Sequence, residues 1–436
     1  MTRPRLIAAV TVAALAAAVT LLGGAFRGAS SPGALAAVPG TRLLEPGAGS
    51  TDTAALVAGL QQRLQADPYD AQGYALLGLA YQQRARETGD PSWYPRSGRA
   101  LRRALRLAPG NAAATGGLGS LALARHRFRE ALQLGRRSLR LSPASARVYG
   151  VIGDAELELG RYDDAFRAFD TMARLKPSVG AYARISYARE LRGRPHDAIV
   201  AMQLALEAAA DQPEATAWTR VHLGKLYWSI GHVGDAAGQY RAALATLPGY
   251  PFALAALGQA EAARGRLARA IALERQAIDA MPLPQFVSEL GDLYRAAGQP
   301  AQAKRQYALM AVIQRLLAAN GVRTDLEGAL FEADHRAHGR EVVALARRAR
   351  AARPSIDGDD TLAWALARAG RCSDALPYSR QALRLGTLDA LKLFHRGMIE
   401  RCLGHMPTGN AYLRRALSLN EHFSTRWAPV ARKALR

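Results

Sequence analysis

The 436 residues carry 58 lysines and arginines against 36 acids, a net charge of +22. A length of this order admits two or three globular domains, yet the periodicity described below runs from about 70 to 421 and leaves no room for a separate one. So basic a balance suits anionic partners such as membrane headgroups, acidic wall polymers or an acidic protein; because nearly all the basic residues are arginine, it equally fits a merely solvated face set by composition.

In chain order, Arg3 and Arg5 precede an uncharged stretch from Leu6 to Phe26, and a Gly/Ser/Pro/Ala-rich segment then runs to about Ser50. An apolar run of this length spans a bilayer, with its basic end favoured in the cytoplasm, so the rest of the chain is expected outside it. Ala34-Leu35-Ala36 supplies a small-x-small cleavage site after Ala36. Residues 1–36 are therefore expected to be a removable signal peptide or a retained transmembrane anchor, and 37–51 a flexible linker. No cysteine follows the run, which excludes a lipid-modified bacterial N-terminus. Removing these 36 residues still leaves a net charge of +19. Export argues against nucleic acid as the partner of this charge.

Residues 52–66, with Leu56, Leu60 and Leu64 at helical spacing, read as a leading cap helix. A small residue then returns at nearly constant spacing: Gly119, Gly153, Ser186, Gly224, Gly258 and Gly291. The steps from 119 to 153 and from 224 to 258 are each 34 residues, the mark of stacked helix-turn-helix units. An apolar residue precedes each small one (Leu118, Ile152, Ile185, Leu223, Leu257, Leu290), and alanine follows twelve residues later (Ala131, Ala165, Ala198, Ala236, Ala270, Ala303). Four further on there is often a large side chain (Phe169, Met202, Tyr240, Tyr307). Pro109, Pro143, Pro177, Pro248 and Pro282 close their units, since proline cannot continue a helix. Later copies decay. Leu362-Ala363 with Ala375 and Ala382, and Gly397 with Ala416, keep the small residues, while a weak unit lies between about Leu326 and Pro354. Ser424 to Leu435 reads as a closing cap helix.

This pattern resembles the tetratricopeptide repeat. Leu223-Gly224, Tyr227, Ala236, Tyr240, Ala243 and Pro248 form the best copy; Tyr74, Leu77-Gly78, Tyr81, Ala104 and Pro109 form another, its turn interrupted around Pro91 to Pro95. The resemblance implies an all-α, right-handed solenoid over 52–436, with about ten helical hairpins and cap helices at both ends. In that family the first helix of each unit lines a concave groove. Carried onto this register, the groove slots hold Arg147 and Asp154, then Tyr187, then Trp218, Val221, Lys225 and Trp228, then Phe252, Ala255 and Gln259, with Trp364 and Phe394 in similar slots farther on. Asp154, Tyr187, Trp218, Lys225, Trp228, Phe252 and Gln259 are the expected partner-binding residues, aromatic anchors with a charge or two, although some of these rings would equally pack between helices. Gly150, Ala183 and Ala255 stand where a clamp for a peptide's terminal carboxylate needs Lys or Asn, so chaperone-tail binding is not expected. The same register puts Cys372 in one inner turn and Cys402 near the end of the next first helix, within reach of a disulfide or left as two buried thiols.

Catalysis finds no foothold. The nine histidines form no His-Glu-x-x-His pair; His335 with His338, and Cys402 with His405, lack further ligands; and Gly119-Ser120 lies within a repeat helix without the spacing of a nucleophile elbow. No cofactor and no metal are expected. The reading is an exported or membrane-tethered, non-catalytic scaffold of a bacterial-type cell envelope that holds a protein or peptide segment in its groove. The alternatives are a basic adaptor for anionic lipid or wall polymer, and an accessory subunit of an envelope enzyme or transporter.

Overall fold

The computed structural model describes residues 50–210, 212–335 and 339–436. The apolar run at 6–26, the cleavage triplet, the linker as far as residue 49, and His338 lie outside the described residues. Helix α1 (Ser50–Ala66) leads ten hairpins among those residues. They are α2 (Ala71–Thr88) with α3 (Trp93–Leu107), α4 (Ala112–Ala124) with α5 (Phe128–Leu141), α6 (Ala146–Glu158) with α7 (Tyr162–Leu175), and α8 (Val179–Leu191) with α9 (Pro195–Glu207). The series continues with α10 (Pro213–Ser229) and α11 (Val233–Thr246), α12 (Pro251–Ala263) and α13 (Leu267–Ala280), and α14 (Pro284–Ala296) and α15 (Pro300–Ala319). The last three are α16 (Asp325–His335) with α17 (Arg340–Ala352), α18 (Ile356–Arg368) with α19 (Cys372–Ala382), and α20 (Ala390–Cys402) with α21 (Met406–Leu419). Helix α22 (Ala428–Ala434) follows them. No strand occurs among the described residues, and no helix there is long and apolar enough to cross a membrane. The chain is an all-α solenoid.

The recurring glycine has a steric cause. A Cβ added at Gly153, Gly224 or Gly291 would collide with the ring of Phe169, Tyr240 or Tyr307, the large residue on the second helix of the same unit. These three hairpins are thus closed by a ring packed against bare backbone, while in the fourth Ser186 fills the slot by donating from Oγ to the Ala198 carbonyl at 2.7 Å. The prolines work through the residue before them. Ala108, Ser142, Lys176, Leu247 and Met281 each directly precede one, and each has ψ between 84° and 98°, outside the helical region. The second helices end there.

The units rotate so that the chain returns on itself after between five and six hairpins, and the second superhelical turn rests on the first. The α4/α5 turn meets the segment before α16: His126 Nδ1 donates to the Arg323 carbonyl at 2.6 Å, 197 residues away. The α6/α7 turn meets the segment before α18, where the Ile356 amide donates to the Tyr162 hydroxyl at 2.7 Å across 194 residues. Thr387 Oγ1 donates to the Leu191 carbonyl across 196 residues, and Asn420 Nδ2 to the Trp228 carbonyl across 192. Buried Glu158 pairs with buried Arg353 across the same seam. Burial alone would lower Arg353, but Glu158, Glu327 and Asp357 outweigh it and hold the guanidinium firmly charged. Gly160 and Gly193, both with positive φ, stand where a Cβ would strike the carbonyls of Pro354 and Gly386. Here glycine serves both the turn and the seam.

Candidate partner-binding face and interior chamber

The first helices of the units turn one side toward the superhelix axis, and the stacking of turns decides which of those side chains stay open. Asp154 is used inside the protein: Arg184 donates to it through Nε at 2.8 Å and Nη2 at 2.7 Å, and both residues are buried. Gly150 makes room for that guanidinium, since a Cβ there would lie 3.3 Å from the Arg184 Cζ. Asp154 therefore joins the third and fourth hairpins and is not free for a partner. Arg147 is half-buried, with an Nε that has no hydrogen-bond partner among the described residues, and burial lowers its guanidinium to about 10 with Arg86 adding repulsion.

Trp228 is buried in a cluster with Ala236, Tyr240 and Ala256, between α10, α11 and α12; it is a packing residue that also lines a chamber between the turns. Val221 and Ala255 are buried as well. Trp218 is half-buried beside Val179 and Ala209, with its ring 4.0 Å from that of His222. Phe252 is half-buried between Tyr250 and the edge of Phe286, with centroids at 5.4 and 5.7 Å. Tyr187 and Gln259 are half-buried and Lys225 is exposed. The inner slots of the fourth to sixth hairpins thus keep aromatic, amide and ammonium groups at least partly open.

At the other end the same face is covered. Trp364 meets Trp427 edge-on at 5.3 Å, Phe394 stacks on Trp427 at 5.5 Å, and Phe423 adds a third ring 5.7 Å from Phe394. Asp334 accepts both indole N–H groups, from Trp364 at 2.8 Å and from Trp427 at 3.0 Å. Thr425 donates to Glu289 at 2.6 Å. The closing segment therefore does more than cap the last hairpin: residues 423–427 lie on the inner face and reach back to α14.

Between the two regions lies a chamber of about 300 Å³, walled by the ends of α8 and α10, the starts of α18 and α20, and the segment after α21. Tyr187, Trp228 and Phe423 supply its aromatic surface. Lys392 Nζ is shared between Asp357 at 2.9 Å and Asp389 at 2.5 Å, and Asp389 also caps α20 by accepting the amides of Leu391 and Lys392. Glu190 differs: no hydrogen bond or ion pair reaches its carboxylate among the described residues. Burial lifts it to about 7; Asp389 pushes the same way, and Lys392 and Lys225 oppose. Lys225, one turn before Trp228, is exposed, and the protein around its side chain lowers its ammonium below the usual value despite the pull of Glu190. Glu190 occupies the slot four past Ser186, so the repeat register could have found it. Asp357, Asp389 and Lys392 had no such signal, because they arrive from the second superhelical turn.

The remaining candidates are structural. Cys372, first in α19, and Cys402, last in α20, form a disulfide with their Cα atoms 6.2 Å apart, tying the ninth hairpin to the tenth. Cys402 is therefore no metal ligand, and His405 pairs with Glu400 at 2.7 Å. His335 lies 3.1 Å from Asp292 and stacks on Phe331, and no group of three or more metal-ligating side chains occurs among the described residues. Ser120 is fully buried and hydrogen-bonded to Gln82 at 2.7 Å.

Residues 94–146, 151–213 and 222–282 match the family model of the tetratricopeptide repeat. No curated protein matches the chain. Among solved structures, PilW, a widely conserved type IV pilus biogenesis factor, is 18% identical, with 46% of this chain and 92% of that one covered and a TM-score of 0.39. YrrB, a TPR protein with an unusual peptide-binding site, is 20% identical, covering 42% of this chain and 94% of its own, with a TM-score of 0.29. Human IFIT1, solved as a dimer with PPP-AAAA, is 13% identical over 84% of this chain and 94% of that one, with a TM-score of 0.44.

Proposed function

Since the chain is a tetratricopeptide-repeat protein, we propose that it works as a non-catalytic interaction scaffold whose inner face, at the fourth to sixth hairpins, captures a protein segment carrying aromatic or apolar anchors. Tetratricopeptide-repeat proteins bind protein or peptide partners, and the observation that favours this face is the chain's own closing segment. Phe423 and Trp427 dock on Trp364 and Phe394 in the last two hairpins, with one carboxylate receiving an indole N–H. Trp218, Tyr187 and Phe252 offer comparable rings at earlier slots, with Lys225 and Gln259 beside them, and among the described residues each of these rings stays half-buried, whereas Trp364 and Phe394 are buried. A photo-crosslinking residue placed at Gln259 is expected to trap a partner in cells, whereas the same residue at Arg241, exposed on α11, is not. Equal trapping at both positions, or trapping at Arg241 alone, contradicts the assignment.

The location belongs to the same proposal. The uncharged run from Leu6 to Phe26 carries the solenoid out of the cytoplasm, cut after Ala36 or retained as an anchor, and a Cys372–Cys402 disulfide suits an oxidising compartment. A second reading has its own observation. On α3, Arg96, Arg99, Arg102 and Arg106 are exposed and no acid lies on that helix, while Arg137 and Arg140 are exposed on α5 alongside. This outer face suits an anionic lipid or wall polymer. Its binding to anionic vesicles would fall steeply between low and physiological salt, while capture through aromatic anchors would change little.

A further inference from the structure

We infer that the chamber between the two superhelical turns is a binding site for an organic cation, an alkylammonium or guanidinium group that pairs with Glu190 and lays its apolar stem along Tyr187, Trp228 and Phe423. Three observations converge. The cavity of about 300 Å³ is in the range of small-ligand pockets. Its aromatic walls suit a cation, which is attracted to ring faces, and Glu190 is the one acid of its lining left without a bonded partner among the described residues. The other charges are already matched in place: Lys392 sits between Asp357 and Asp389, which excludes those two acids as the recognising group. With Glu190, Asp357 and Asp389 against Lys392 and Lys225, the chamber and its rim lack one positive charge, and an incoming cation supplies it. Glu190 is half-buried and raised to about 7, chiefly by desolvation, and a cation beside it would favour its charged form.

The inference goes beyond segment capture at the inner face, because this site is made by the seam and is assembled from both superhelical turns. It also distinguishes two sources of the same chemistry, a free amine and a basic side chain of a bound segment.

The test is calorimetric titration of the folded chain with n-butylammonium, with capped lysine and capped arginine, and with capped norleucine as the uncharged control. The cations are expected to bind and norleucine is not. Glu190→Gln is expected to weaken cation binding at least tenfold, and Lys225→Ala to strengthen it, because a nearby positive charge is removed while the site is left in place. Similar affinity for butylammonium and the capped residues identifies a free amine as sufficient; much tighter binding of a capped residue identifies a segment's side chain. The inference is overturned if no cation binds, if norleucine binds equally, if Glu190→Gln retains full affinity while keeping the wild-type circular dichroism, or if Lys225→Ala weakens binding. Retained crosslinking at Gln259 in Glu190→Gln would leave the capture proposal standing when this one fails.

Discussion

At the scale of single residues, the most exacting position is the slot sixteen residues past the recurring glycine. Phe169, Tyr240 and Tyr307 fill it with rings and Met202 with a thioether chain, but in the sixth hairpin it holds Glu274. Glu274 is 1% exposed, neither carboxylate oxygen has a hydrogen-bond partner among the described residues, and a Cβ on Gly258 would lie 3.3 Å from Oε2. Burial, helped by the charge of Glu289, raises this carboxyl well above its usual value. A raised acid binds its proton more tightly in the folded chain than in the unfolded one, so its contribution is complete below about 4.5 and is lost as pH rises above that toward the folded value. Glu274→Met, which copies the residue of the fourth hairpin, is therefore expected to leave the thermal midpoint at pH 4.5 little changed and to raise it at pH 8. A variant less stable than wild type at pH 8 would show that the carboxyl is satisfied in a way this packing does not contain. The glycine and its ring were legible in the sequence because they are a pair inside one hairpin; the role of Asp154 was not, since its partner Arg184 comes from the next unit and its slot alone looked open.

At the scale of helices, regular lengths kept the repeat readable and one irregular length hid it. Helices α5, α7, α11 and α13 each span 14 residues, whereas α15 runs for 20, with no proline to end it at the usual place. The following α16 has only 11. The glycine slot is therefore displaced after Gly291, which is why the unit between Leu326 and Pro354 looked weak although α16 and α17 form a hairpin. Beyond it, the Cys372–Cys402 bridge closes a stretch with a sequence separation of 30, for which loop entropy gives a contribution of about 3–4 kcal/mol. Most of each unit's packing is with its sequence neighbours, so that contribution is concentrated in the last hairpins. Replacing both cysteines with serine is expected to speed amide exchange in α18 to α21 and leave α1 to α3 unchanged. Uniform loss of protection along the chain would mean that the solenoid unfolds as one block.

At the scale of the whole molecule, the architecture depends on contacts between residues nearly two hundred positions apart, and no local pattern announces them. Gly160 and Gly193 look like ordinary turn glycines until Pro354 and Gly386 arrive beside them. Thr387 and Asn420 look like loop residues until they bond the ends of α8 and α10. Stacking of the turns brings α18 and α20 over Glu190 at the end of α8, and leaves Trp218, Phe252 and Gln259 partly exposed farther along the inner face. The most direct measurement is a pair of spin labels on introduced cysteines at Asp163, at the start of α7, and Ala351, near the end of α17, both exposed and on opposite sides of the seam. A narrow distance distribution at the short end of the accessible range is predicted, and it should broaden and lengthen in Arg353→Ala, which leaves Glu158 unpaired in the seam. A long, broad distribution already present in the unaltered background would mean that the turns are apart, and would contradict the chamber between them and every role assigned to it.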